Sequence, residues 1–162
     1  MKAADPLDEY RVALINRLAA QPAALVDLAE RVPEAEWHRL LVVDNRTLHQ
    51  MAAHIRDAVA LAFYPRVERI LAEESPHLEP FPYHYWSIEH GYQPDEPLST
   101  IVAALAATYE SLVARLRAMS TEDWARIGFH PPSGPRTVLW WSERIHGHTA
   151  VHLDDLRRAL SA

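Results

Sequence analysis

Residues 136–160 read RTVLWWSERIHGHTAVHLDDLRRAL. At about 100° per residue, Val138, Trp141, Ile145, His148, His152 and Leu156 fall on one stripe of a helix, because every step between them is three or four residues. Two histidines therefore sit on the seam that an amphipathic helix turns toward a core. Four residues apart, they place their Cβ atoms roughly 6 Å from each other, so that one nitrogen from each ring can converge on a single ion. The segment HPPSGP at 130–135 stops the chain just before, and a helix is expected from about Arg136 to Leu160.

The same periodicity recurs upstream. Asp5-Pro6 supplies an acidic N-cap and a first-turn proline. Leu7, Val12, Leu14, Ile15, Leu18, Leu25, Leu28 and Ala29 then mark a first helix that ends before Pro33, with a kink or interruption expected at Pro22. A polar connection containing Trp37 and Asp44-Asn45-Arg46-Thr47 leads to a second helix, for which Asn45 or Thr47 is the candidate cap. Its stripe is Leu48, Met51, Ile55, Ala58, Val59 and Ala62, and Pro65 should kink it before Val67, Ile70 and Leu71 resume the pattern. His54 lies at the border of this stripe, with Met51, Ala58 and Leu61.

From about Ser75 to Pro97 the chain is rich in proline and aromatic residues, which reads as an ordered crossover loop. A third helix is expected from about Leu98 to Met119, with Ile101, Leu105, Leu112, Val113 and Leu116 on its apolar side. No alternating pattern reads as a strand. The fold class that follows is all-α, a four-helix bundle forming one domain over residues 1–162. The long connection between the second and third helices lets them run parallel, so the expected order is up-down-down-up.

Composition narrows the chemistry. The net charge of −6 and the lack of a basic patch argue against nucleic acid as a partner. No window approaches the roughly 18 uninterrupted apolar residues of a membrane span, and the N-terminus lacks the pattern of a signal peptide, so no membrane partner and a cytoplasmic location are expected. With no cysteine, the chain offers neither a thiolate ligand nor a cysteine nucleophile, so a metal must be held by nitrogen and oxygen. Ten histidines make metal chemistry worth testing.

His54, His148 and His152 are the candidate metal ligands. A hydrogen-bonded core histidine is the commoner reading for any one of them. Three such rings in one small core are costly, however, since each unpaired polar group costs roughly 1–3 kcal/mol, whereas a shared metal takes up one nitrogen per ring. His146 is rotated about 200° from His148 and His49 about 140° from His54, so neither belongs to the set. His38, His77, His84, His90 and His130 fall in expected loops or helix ends, where solvated side chains are usual, although His84 and His90 could reach a site mouth. Asp57 and Asp155 each follow a candidate ligand by three residues and are candidate catalytic groups, as proton acceptors or as supports for the rings. The simpler reading makes them surface acids. Phe81, Tyr83, Tyr85, Trp86 and Tyr92 could wall a substrate pocket or form a satellite core, and Trp140 and Trp141, being adjacent, cannot both face the core.

The segments from Arg46-Thr47-Leu48-His49 to His54-Ile55-Arg56-Asp57, and from Thr137-Val138-Leu139-Trp140-Trp141 to His148-Thr149-Ala150-Val151-His152-Leu153, resemble the second-helix and last-helix motifs of the DinB-like superfamily. The resemblance implies an up-down-down-up bundle, a three-histidine divalent-metal site and frequently a homodimer. It also implies metal-dependent hydrolysis, or transfer to a low-molecular-weight thiol such as bacillithiol or mycothiol, on a small-molecule substrate. Zinc or nickel is the expected metal. The chain differs from many members in carrying Asn45-Arg46 where a tryptophan is common, and Asp154-Asp155 where a glutamine is common.

No phosphate-binding glycine motif and no nucleophilic serine elbow is present, which leaves metal activation as the visible route to a nucleophile. Three protein ligands leave a position open for water or a thiol. The alternatives are a non-catalytic metal- or ligand-binding stress protein, and a stress-induced scaffold whose site is vestigial.

Overall fold

The computed structural model of the protein describes residues 5–83 and 91–161. Helix α1 (Pro6–Arg31) begins as its cap dictates, with the Asp5 carboxylate accepting from the Leu7 N–H at 2.9 Å. It runs without a break through Pro22, contrary to the expected interruption. Tertiary contacts hold it there: Leu18 and Leu25 are fully buried, and the Gln21 amide donates to the His146 carbonyl at 2.8 Å and accepts from the Tyr109 hydroxyl at 3.0 Å. Leu7 and Val12, assigned to the apolar stripe from spacing, face solvent instead.

The connection after α1 contains a short helix, α2 (Glu34–Arg39), which places Trp37 completely inside. Of the two candidate caps Thr47 takes the role, in a full capping box with Gln50. Helix α3 (Leu48–Asp57) follows, then a π-helical stretch (Ala58–Phe63), then α4 (Tyr64–Ala72). Pro65 offers no N–H to the carbonyl one turn back, and just before it the chain widens, the Tyr64 N–H reaching the Val59 carbonyl five residues earlier. The expected kink is thus a wide turn. It shifts the helical phase, which is why Leu61, expected beside His54, is exposed.

Helix α5 (Leu98–Arg117) ends two residues before the expected Met119, and α6 (Val138–Ser161) begins two after the expected Arg136. Between them lies a hairpin that the sequence reading missed: β1 (Ile127–His130) pairs antiparallel with β2 (Gly134–Thr137), in register from Ile127 with Thr137 to His130 with Gly134. Its inward positions are Gly128 and His130, so no apolar alternation announces it. Gly128 is required by close packing, since a Cβ there would come within 2.8 Å of Ile70 and Leu78. The Phe129 backbone bonds to Pro76 and Leu78, tying the hairpin to the start of the crossover.

Contacts along the chain set the helix directions. The Glu96 carbonyl, just before α5, lies 2.8 Å from His49 Nε2 near the start of α3, so α3 and α5 start at one end and run parallel. The end of α1 is there too, because Glu34 accepts from the Leu98 N–H at 3.1 Å. Early in α1, Tyr10 bonds to Glu143 early in α6. The order is up-down-down-up, and the fold is a four-helix bundle. By length and composition α1 could cross a membrane. In the bundle its Leu14, Leu18 and Leu25 belong to the core shared with Ile55, Ile101, Leu112 and Trp141.

Candidate metal centre

Because α3 runs antiparallel to α6, His54 meets the pair His148 and His152. One ligand nitrogen from each of the three lies within 4.8 Å of those of the other two. The Nε2 atoms of His54 and His148 are 3.2 Å apart, and the ring centres are separated by 5.1 Å (His54 and His148), 5.0 Å (His54 and His152) and 4.5 Å (His148 and His152).

Burial makes these rings poor bases toward protons. It pushes His54 down to about 4, with the charges of Arg46 and His152 acting the same way. It pushes His148 down to about 2, helped by the neighbouring His152 and His54. His152 is also lowered by burial, against the opposing hydrogen bond and charge of Asp155. At neutral pH all three are uncharged, and each keeps one lone pair. Three neutral imidazole nitrogens, without a thiolate, suit zinc, nickel and similar divalent ions.

The candidate carboxylates separate. Asp155 is buried, with Oδ2 3.3 Å from His152 Nδ1, so the N–H of that ring sits on Nδ1 and leaves Nε2 as its lone-pair nitrogen. It is buried against a triad ring, not the surface acid of the simpler reading. Asp57 pairs instead with Arg56 at 2.7 Å, and Arg56 also binds Glu96 at 2.5 Å.

A cavity of about 470 Å³ opens beside the triad, bounded by His54 and His148 and walled by Phe63, Phe81, Tyr83 and Trp141. Phe63, from the wide turn, meets the His148 ring edge-on at 5.1 Å. Phe81 and Tyr83 line the cavity and also pack against the core, whereas His84, Tyr85, Trp86 and His90 lie outside the described residues. Tyr92 does other work, its hydroxyl 2.9 Å from His49 Nδ1. Of the adjacent tryptophans Trp141 is buried, and half-buried Trp140 lies at the cavity.

Glu34, His38 and His49 form a second cluster of metal-compatible groups. Both nitrogens of its central ring are already engaged: His49 is fully buried, with Nδ1 at Tyr92 and Nε2 at the Glu96 carbonyl, and one Glu34 oxygen accepts from the Leu98 N–H. His49 stands apart from the triad as its helix phase requires, and pins α3 to the start of α5. His146 is also outside the triad, half-buried, with its carbonyl bound to Gln21. His130, expected as a solvated loop residue, is buried in β1 and meets Trp141 edge-on at 5.4 Å.

A family model of the DinB superfamily matches residues 17–156, a span that includes all three histidines of the cluster. The chain belongs to the DinB superfamily. A protein from Bacillus pumilus (strain SAFR-032) described as a "Putative metal-dependent hydrolase" is 26% identical over 148 residues, covering 90% of this chain and 82% of that protein. YfiT from Bacillus subtilis, a solved structure described as "a probable metal-dependent hydrolase with an unusual four-helix bundle topology", superposes with a TM-score of 0.79 at 22% identity, over 99% of this chain and 92% of that one. That likeness is one of fold.

In this DinB-superfamily chain the sequence reading missed Arg66, Arg144 and His130, which also line the cavity. Arg144 carried a signal, lying one turn before His148 on the same helix face. Arg66 did not, because the π-helical stretch shifts the phase ahead of it.

Proposed function

We propose that the protein is a metal-dependent hydrolase of small molecules, in which His54, His148 and His152 hold one divalent ion, zinc or nickel. The observation that carries this reading is three uncharged imidazole nitrogens within 4.8 Å of one another at the wall of a cavity of about 470 Å³. When bound there, such an ion supplies Lewis acidity to a water or a thiol in the position that three histidines leave open. The chain's own residues do the rest. Asp155 holds the proton of His152 on Nδ1, and Phe63 and Tyr83 limit water at the triad while leaving the cavity side open to substrate.

The test is metal analysis of untagged protein, followed by turnover of simple esters and amides with the metal in place and after its removal. About one zinc or nickel per chain and metal-dependent turnover are expected. His54→Ala should lose both.

A second reading, transfer to bacillithiol, mycothiol or a similar thiol, is favoured by the absence of cysteine from the chain, since any sulfur nucleophile must then be brought in. Cobalt-loaded protein should develop a new sulfur-dependent absorption band on adding the correct thiol, and His54→Ala should remove it. Bound metal with no response to esters, amides or thiols would replace both readings with a non-catalytic metal-binding protein. The proposal includes a homodimer, to be checked by sedimentation, and a cytoplasmic location, with neither nucleic acid nor membrane as partner.

A further inference from the structure

Besides the histidines of the triad, the cavity is lined by two arginines and by three side chains that each bury a polar atom without a hydrogen bond among the described residues. Arg66 is only 7% exposed, yet among the described residues it has no carboxylate partner. Its guanidinium donates to the Glu79 carbonyl at 3.2 Å and lies 4.8 Å from the Trp141 ring centre. Arg11, Arg56, Arg69 and Arg157, by contrast, each have a carboxylate within 3 Å. Arg144 also lacks a carboxylate among the described residues and lies over Phe63, 5.8 Å from its centre. Both arginines line the cavity, together with Tyr83.

Around this cavity Tyr83 Oη, His130 Nε2 and Trp141 Nε1 are buried with no hydrogen-bond partner among the described residues. Arginine and tryptophan only donate, and tyrosine and histidine are able to. A buried cation and several idle donors are costly when left alone, and an anionic acceptor in the cavity offers them the partner they lack. The chain as a whole carries −6, yet this cavity is lined by two arginines with no carboxylate partner among the described residues.

We infer that this cavity takes a small organic anion, with its carboxylate held between Arg66 and Arg144 and its apolar body against Phe63, Trp140 and Trp141. The planar guanidinium matches a carboxylate edge, and the aromatic walls favour a ligand that is apolar beyond its charged end. The inference names the substrate class of the proposed hydrolase and rests on that reading, but the binding itself needs only the protein's side chains.

Benzoate and its neutral counterpart benzamide test it, followed by the fluorescence of Trp140 and Trp141, in metal-free and zinc-loaded protein. Benzoate should bind saturably in both forms, and benzamide at least about tenfold more weakly. Arg144→Gln, at an exposed position that tolerates change, should weaken benzoate at least about tenfold, leave benzamide unaltered and leave zinc uptake intact. Arg66→Gln should act in the same direction if circular dichroism shows the helices retained.

Equal binding of benzoate and benzamide, absence of saturable benzoate binding, indifference to Arg144→Gln, or tighter binding of inorganic phosphate than of benzoate would each overturn the inference. Benzoate bound only with zinc, and untouched by Arg144→Gln, would overturn it while the metal centre stands. Benzoate bound in an Arg144-dependent way by protein that takes up no zinc would uphold the anion pocket and sink the metal reading.

Discussion

His54 Nε2 and His148 Nε2 face each other across 3.2 Å, although 94 residues separate them in the chain. Two uncharged imidazoles so placed share a single proton between two nitrogens, and a cation at that point takes both lone pairs instead. His148→Ala and His152→Ala should therefore each abolish stoichiometric metal binding while leaving helical circular dichroism largely intact. His146→Ala should do neither, as its ring lies outside the cluster. Metal content by elemental analysis decides it, and loss of metal from His146→Ala as complete as from the other two would sink the assignment.

Asp155 and Asp57 should behave differently although each follows a ligand by three residues. Asp155 contacts His152 Nδ1 at 3.3 Å, whereas Asp57 is engaged by Arg56 at 2.7 Å. Asp155→Asn removes the charged acceptor behind the ligand ring, and metal affinity should fall about 10–100-fold. Asp57→Asn should leave affinity near that of the parent. Competition with a chelator of known affinity measures both, and equal losses would show that Asp155 does not position His152.

Much of this arrangement was legible because helical periodicity is a local signal. The stripe from Val138 to Leu156 placed His148 and His152 on the core side, and the long crossover implied the parallel α3 and α5 that the Glu96–His49 contact shows. Legibility failed where tertiary contacts override local preference. Pro22 sits in an unbroken helix because Gln21 and its leucine neighbours anchor both sides, and Leu61 points outward because the wide turn before Pro65 alters the phase. The hairpin was invisible for another reason: its inward residues are a glycine chosen for lack of bulk and a histidine, neither of which reads as apolar. Arg66 needed the assembled bundle to become visible, and for Arg144, one turn before His148, nothing local shows that a carboxylate is missing beside it.

Two glycines should respond to alanine with opposite signs. At Gly128 a new Cβ would lie 2.8 Å from side-chain atoms of Ile70 and Leu78, so Gly128→Ala should destabilise by about 1–3 kcal/mol. It should also loosen the hairpin from the Pro76–Leu78 backbone. Gly147 lies inside α6 with nothing within 4 Å of the added atom, so Gly147→Ala should stabilise by about 0.5–1 kcal/mol through helix propensity. Urea midpoints on metal-free protein report both. The same sign for the two substitutions would mean that the close approach at Gly128 is not a packing constraint.

Acid should destabilise the metal-free protein well above the pH at which carboxylates titrate. In the unfolded chain a histidine protonates near 6.5, whereas burial holds His54 down to about 4 and His148 down to about 2. Above about 6.5 both states are neutral and pH has no effect through these rings. Below it the unfolded chain takes up protons that the native rings refuse, so stability falls as pH falls, at up to roughly 1.4 kcal/mol per pH unit for each histidine kept neutral. The His54 contribution levels off near its folded value of about 4, and that of His148 continues lower. Urea midpoints after exhaustive chelation, taken at pH about 7 and about 5, should differ in this direction, and the double variant His54→Gln/His148→Gln should flatten the slope. A slope unchanged in the double variant would show that these two rings are not what couples folding to protons.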